Sequence, residues 1–176
     1  MSGPAPASRI VAIYLNDHLA GATAGVELAR RMVQEHGRSA YRGDLETLAA
    51  EISRDRRALL ELMASLDIAV RRYKICAAWL SERLGRLKPN GRVVRRSPLS
   101  MLVEVEALRV GVEGKVLLWR TLLASAAWDQ RLDTVRIQEL LDGARQQSEV
   151  LDSLHGEAVS ALLSTQTSER TTEADT

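Results

Sequence analysis

Asp152 and His155 stand three residues apart in a stretch with a helical hydrophobic pattern, and no other acid precedes a histidine at that spacing. Residues i and i+3 share one face of a helix, so a carboxylate and an imidazole placed this way can reach one metal ion or relay a proton. The same spacing also makes an ordinary contact between surface neighbours. His18 fits a core or flank position, and His36 fits a helix end, where a cation complements the dipole. Nucleophilic catalysis finds no support: Cys76, the lone cysteine, has no identifiable base and lies on an apolar helical face as a small buried thiol. Arg83, Arg86, Lys88, Arg92, Arg95 and Arg96 form one basic stretch, but no aromatic residues are interleaved for base stacking, and a solvated loop is the expectation. Phosphate-binding glycine loops, zinc spacings and nucleotide fingerprints are absent from the sequence.

Four amphipathic stripes must carry these groups. Leu45, Leu48, Ile52, Asp55, Leu59 and Leu62 advance in steps of three and four, with Asp55 in the middle of an otherwise apolar series. Leu102, Val105, Arg109, Val112, Val116 and Trp119 do the same, with Arg109 as the intruder. Leu140, Ala144, Gln147, Leu151 and Leu154 carry Gln147, while Leu15, Leu19, Ala22, Val26 and Ala29 carry only Ala22 at their centre. A polar layer halfway along four packed helices is how a bundle builds an internal site. Isolated buried charges are not tolerated, so Asp55 and Arg109 are expected to form a buried ion pair in the polar core. The alternative is that both point to solvent.

Composition agrees with close-packed helices. The 176 residues contain no Phe and only 3% aromatics, so the core must be built from Leu, Ala and Val. A formal charge of +1 gives no global field for nucleic acid or a membrane surface. One cysteine allows no intrachain disulfide, which fits a reducing cytoplasm. Residues 1–8 show no signal-peptide pattern, and no stretch approaches the roughly 18 uncharged apolar residues of a membrane helix.

Punctuation sets the expected elements. Residues 1–8 are expected to be flexible, and the bundle spans 9–164. Helix one runs from about Arg9 to His36 and stops at Gly37. Asp44 caps helix two, which continues to about Leu84 before Gly85. Pro89-Asn90-Gly91 marks a turn, then Ser97-Pro98 opens helix three, which extends to about Trp128. Asp133 or Thr134 opens helix four, which fades near Ser164, and the Ser/Thr/Glu-rich tail 165–176 reads as disordered. Short first and third links make antiparallel neighbours of helices one and two, and of three and four. The middle link of about a dozen residues can reach ~40 Å, the length of a ~27-residue helix, so a lengthwise crossover is permitted without being required. Gly21 and Gly25, and Gly111 and Gly114, each cost about 1 kcal/mol relative to Ala inside a helix. Close internal packing is the expected reason; a groove for a flat ligand or a partner helix is the alternative.

Two helix pairs joined by one longer link around a polar layer, with the opening Tyr14-Leu15-Asn16-Asp17-His18-Leu19, resemble the ferritin-like superfamily of bacterioferritin and rubrerythrin type over about residues 10–163. The resemblance implies an all-α four-helix bundle. It would also imply a di-iron site with a Glu from each of two helices and Glu-x-x-His from the other two. The residues depart from that set. Glu51-Ile52-Ser53-Arg54 has Arg in the histidine position, and a guanidinium does not ligate a cation. Ala22 replaces the first carboxylate, Glu27 lies farther on, and helix three offers only Glu106 or Glu113. Helix four retains Glu149, Asp152 and His155 as weak metal candidates, with Glu51 across the bundle.

The expectation is therefore a ferritin-like, cytoplasmic interaction or scaffold module without a di-iron centre and without catalytic residues. A protein partner or self-association is expected, with no cofactor, no membrane and no nucleic acid. One alternative is a metal-binding or oxidoreductase relative that holds iron or manganese in an unconventional site. The other is a small-ligand binder in the bundle core.

Overall fold

The computed structural model describes residues 6–36, 39–71, 98–127 and 129–174. Among these the chain forms four helices and no strand: α1 (Pro6–Glu35), α2 (Arg42–Ser65), α3 (Pro98–Ser125) and α4 (Thr134–Ala174). None is long and apolar enough to cross a membrane. Cys76, the basic stretch 83–96, the Pro89-Asn90-Gly91 turn and the punctuation residues Gly37, Gly85 and Ser97 lie outside the described residues.

Side-chain contacts give the direction of each helix. Arg56 reaches Thr23, while Asn16 reaches Ala69, so α1 and α2 are antiparallel. Tyr14 meets Thr121 and Arg31 meets Glu104, so α1 and α3 are antiparallel too. Lys115 with Gln147 and Arg109 with Asp152 make α3 and α4 antiparallel. Asp55 with Gln147, and Leu66 with Arg131, do the same for α2 and α4. It follows that α2 and α3 run in the same direction on one diagonal of the bundle. The end of α2 and the start of α3 therefore lie at opposite ends of the bundle.

Helix ends follow from local chemistry. α1 and α3 begin at proline, whose missing N–H costs nothing in a first turn. Asp133 caps α4 through a 3.0 Å bond from the Arg136 N–H to Oδ1. α2 starts at Arg42 after Tyr41, earlier than an Asp44 cap would place it, and no side chain caps it. Its other end corrects a larger expectation, since α2 stops at Ser65 instead of continuing to Leu84. The Ile68 N–H bonds Met63 O at 2.9 Å and the Asp67 N–H bonds Ala64 O at 3.1 Å, with Asp67 at φ 57°. That is a Schellman ending, with an aspartate where glycine is usual. Asn16, 2% exposed, then fixes the emerging chain. Its carbonyl accepts the Arg71 N–H at 2.6 Å, and its amide donates to Ala12 O and Ala69 O. At the C-terminal end α4 remains helical over 165–174, where the tail was expected to be disordered. Extending a helix already anchored by packing needs no new nucleus.

The core falls into two apolar clusters. One gathers Leu15, Leu59, Met63, Leu118, Trp119 and Leu141. The other gathers Met32, Leu48, Ile52, Val105, Leu108 and Leu151. On α2 the break falls between Ile52 and Ala58, on α3 between Val112 and Val116, and on α4 between Ala144 and Leu151.

Candidate functional site

Three polar side chains fill that break. Asp55 Oδ2 accepts from Lys115 Nζ and, at 3.0 Å, from Gln147 Nε2. Lys115 Nζ also donates to Gln147 Oε1, which closes a triangle between α2, α3 and α4. The side chains of Lys115 and Asp55 are only 13% and 12% exposed, and Gln147 is 2% exposed as a residue. Burial lowers the Lys115 pKa, opposed by the charge and hydrogen bond of Asp55 and by the charge of Glu51. Two oxygens, Asp55 Oδ2 and Gln147 Oε1, take the place of water around the ammonium and offset part of the cost of its burial.

This arrangement corrects the expected Asp55–Arg109 pair. Arg109 is one-third exposed and turns to the α3–α4 flank, where Nε donates to Asp152 Oδ1 at 2.8 Å and Nη1 to Glu113 Oε2 at 3.1 Å. Both bonds hold its pKa above the ordinary guanidinium value. The inward face of α3 is centred on Met101, Val105, Leu108, Val112 and Trp119, so position 109 lies at its edge and position 115 within it.

The metal candidates are not brought together. Asp152 is taken by Arg109, and His155 Nε2 lies 3.3 Å from Glu106 Oε1 on the exposed α3–α4 flank. Glu149 is exposed on α4. Glu51 on α2 faces Arg54 at 3.7 Å. Among the described residues no three His, Cys, Asp or Glu side chains converge as a metal-binding group.

A second polar knot lies at one end of the bundle. Glu104 is 7% exposed, accepts from Arg31 Nη2 at 3.3 Å and lies 3.4 Å from His36 Nε2. Sequence reading missed Glu104, although it stands three residues after Met101 and so shares the inward face.

On the α1 side no fourth side chain among the described residues joins the triangle. The polar layer opens instead into a cavity of about 470 Å³ between α1, α2 and α3. Gly21, Ala22 and Gly25 line it from α1, and Gly111 and Gly114 from α3. Those glycines do not mark tight packing, which corrects the expectation. Among the described residues, a Cβ built on Gly21, Gly111 or Gly114 meets nothing within 4 Å, and one on Gly25 meets only Ile52 Cγ2 at 3.8 Å. His18 lies edge-on to Tyr14 at 4.5 Å, lines the same cavity, and has its pKa lowered by burial against the opposing charge of Asp17. Tyr14, Asp17, Lys115, Asp55, Arg56 and Trp119 complete the part of the lining that carries polar groups. Compared with protein-family models, with curated proteins and with solved structures, the chain finds no match.

Proposed function

We propose that this protein is a non-catalytic binding module whose cavity between α1 and α3 takes a small, mainly apolar ligand. The observation that carries the reading is a cavity lined by four helix glycines, three of which have open space where a side chain would project. Each such glycine costs about 1 kcal/mol against alanine, and close packing does not account for them. A volume of about 470 Å³ lies in the usual range for small-molecule sites, and a mostly apolar wall with a few polar groups suits such a site. Two of the charged residues lining the cavity, Asp55 and Lys115, already satisfy one another, which favours binding over chemistry.

We further propose a ferritin-like relationship in which the Lys115 ammonium occupies the place that a metal would hold. Parallel α2 and α3, with the end of one and the start of the other at opposite ends of the bundle, support it. Elemental analysis of protein expressed in iron- and manganese-rich medium is expected to find well under one metal ion per chain. Stoichiometric metal, lost on changing Asp152 or His155, would overturn this part.

The binding reading is tested with N-phenyl-naphthylamine, an uncharged apolar fluorescent probe. Saturable, single-site binding is expected for the parent protein and its loss in Gly114→Leu, with the helical circular dichroism unchanged. Equal binding by both proteins sinks the reading. A second reading, that the same face receives a partner chain, is favoured by Val110 and Leu117, 74% and 51% exposed on α3 beside Gly114. Light scattering decides it: a parent oligomer that Val110→Glu dissociates supports association, and a monomer at high concentration excludes self-association.

A further inference from the structure

We infer that the ligand is an apolar carboxylate, with its body in the glycine-lined cavity and its head group on Arg56; this rests on the cavity reading above. Four charged residues line the cavity: Asp17, Asp55, Arg56 and Lys115. Asp55 and Lys115 cancel as an ion pair, so the head group is selected by the other two. Asp17 is exposed, and water satisfies an exposed carboxylate. Arg56 is half-buried, and its recorded contact is with a neutral group. Its Nε donates to Thr23 Oγ1 at 2.9 Å, and the Thr23 hydroxyl donates in turn to Leu19 O at 2.8 Å. No carboxylate pairs with Arg56 among the described residues.

That hydrogen-bond chain fixes the guanidinium. With Nε held by Thr23, the two Nη groups remain as an end-on fork, the geometry that takes a carboxylate through two parallel bonds. A partly desolvated guanidinium gains more from such a partner than an exposed one does. Thr23 therefore acts as a positioning residue, and Arg56 as the group that touches the ligand. Asp17 lies six positions before Thr23 on α1, about 9 Å along the helix axis, so a head group on Arg56 is separated from that carboxylate.

The experiment is calorimetric titration of the full chain with decanoate, methyl decanoate and decylamine, with Trp119 fluorescence as a second readout. Decanoate is expected to bind roughly tenfold or more tightly than the ester, the scale of a charge-assisted pair. Arg56→Gln should bring decanoate down to the affinity of the ester and leave the ester unchanged. Arg56→Lys, which keeps the charge but not the fork, should fall between. Gly114→Leu should abolish binding of all three. If acid and ester bind equally, or the amine binds best, the head-group assignment is overturned while the cavity reading stands. If none of the three binds, both fall.

Discussion

Lys115 and Arg109 sit six residues apart on the same helix, and each meets a carboxylate, yet they do different work. Lys115 is nearly enclosed, bonded to one residue on α2 and one on α4, and it divides the hydrophobic core in two. Arg109 lies on the rim of the α3–α4 seam, its pair with Asp152 shared with water at 32% and 61% side-chain exposure. The difference between them is solvent. A rim pair trades one hydration shell for a comparable contact, whereas an enclosed charge is held only by the groups built around it. A polar residue within an apolar stripe is therefore informative about the core only once the rotation of the stripe is known.

The largest effect that would break or sharpen this contrast is Asp55→Ala. It strands the Lys115 ammonium with Gln147 alone and is expected to cost about 3–5 kcal/mol in urea unfolding. Lys115→Met should cost a comparable amount, because it leaves the Asp55 carboxylate enclosed with its bond from Gln147 and no opposite charge. The double change Asp55→Leu with Lys115→Met should fall well short of the sum of the singles, since no charge is left buried. Additive losses would mean that the two residues are not a unit. Arg109→Ala is expected to change stability by no more than about 1 kcal/mol, and by less in high salt, as befits a rim pair. If it matched Asp55→Ala, the contrast would collapse.

Titration gives smaller effects of opposite reach. Burial lowers the His18 pKa below 6.5, so the unfolded chain takes up the proton first, and stability falls as pH drops through 6.5 toward the folded value. His18→Gln should flatten that part of the stability–pH curve. Asp129 is partly exposed, and bonds from the Arg131 side chain and backbone lower its pKa to about 2. Its contribution is complete above the unfolded value near 3.8 and disappears as pH falls through about 2, so Asp129→Asn should alter only the acid limb.

The pattern of the stripes made four helices legible, because a 3.6-residue period over so many turns has no other reading. Asp55 and Gln147 were legible as interruptions, and they do meet. Lys115 was not. The α3 stripe traced through Leu102 and Arg109 lies one position from the buried series Met101 and Leu108, and one position is a rotation of about 100°. Apolar residues on both flanks of α3, Val110 and Leu117 among them, blurred the edge that would have fixed the rotation. The end of α2 was hidden for a different reason, since an aspartate took the left-handed position that glycine usually advertises. The helix glycines were conspicuous, but their spacing cannot distinguish a close approach of two backbones from a space left open between them. Arg56 carries no sequence signal at all; its importance comes from what stands opposite it on α1.

The placement of the enclosed charges also bears on how the two halves of the chain find each other. α1 with α2, and α3 with α4, are hairpins of nearby sequence, whereas joining them requires contacts across the long middle link. The acid of the central pair belongs to the first hairpin, and both the base and the amide belong to the second. Two copies of the first hairpin would bring aspartate against aspartate, and two copies of the second lysine against lysine. A slip of one helical turn would leave each charge facing hydrocarbon. Opposite charges divided in this way act as a key that admits only the complementary half in only one register, a form of negative selection against mispaired hairpins.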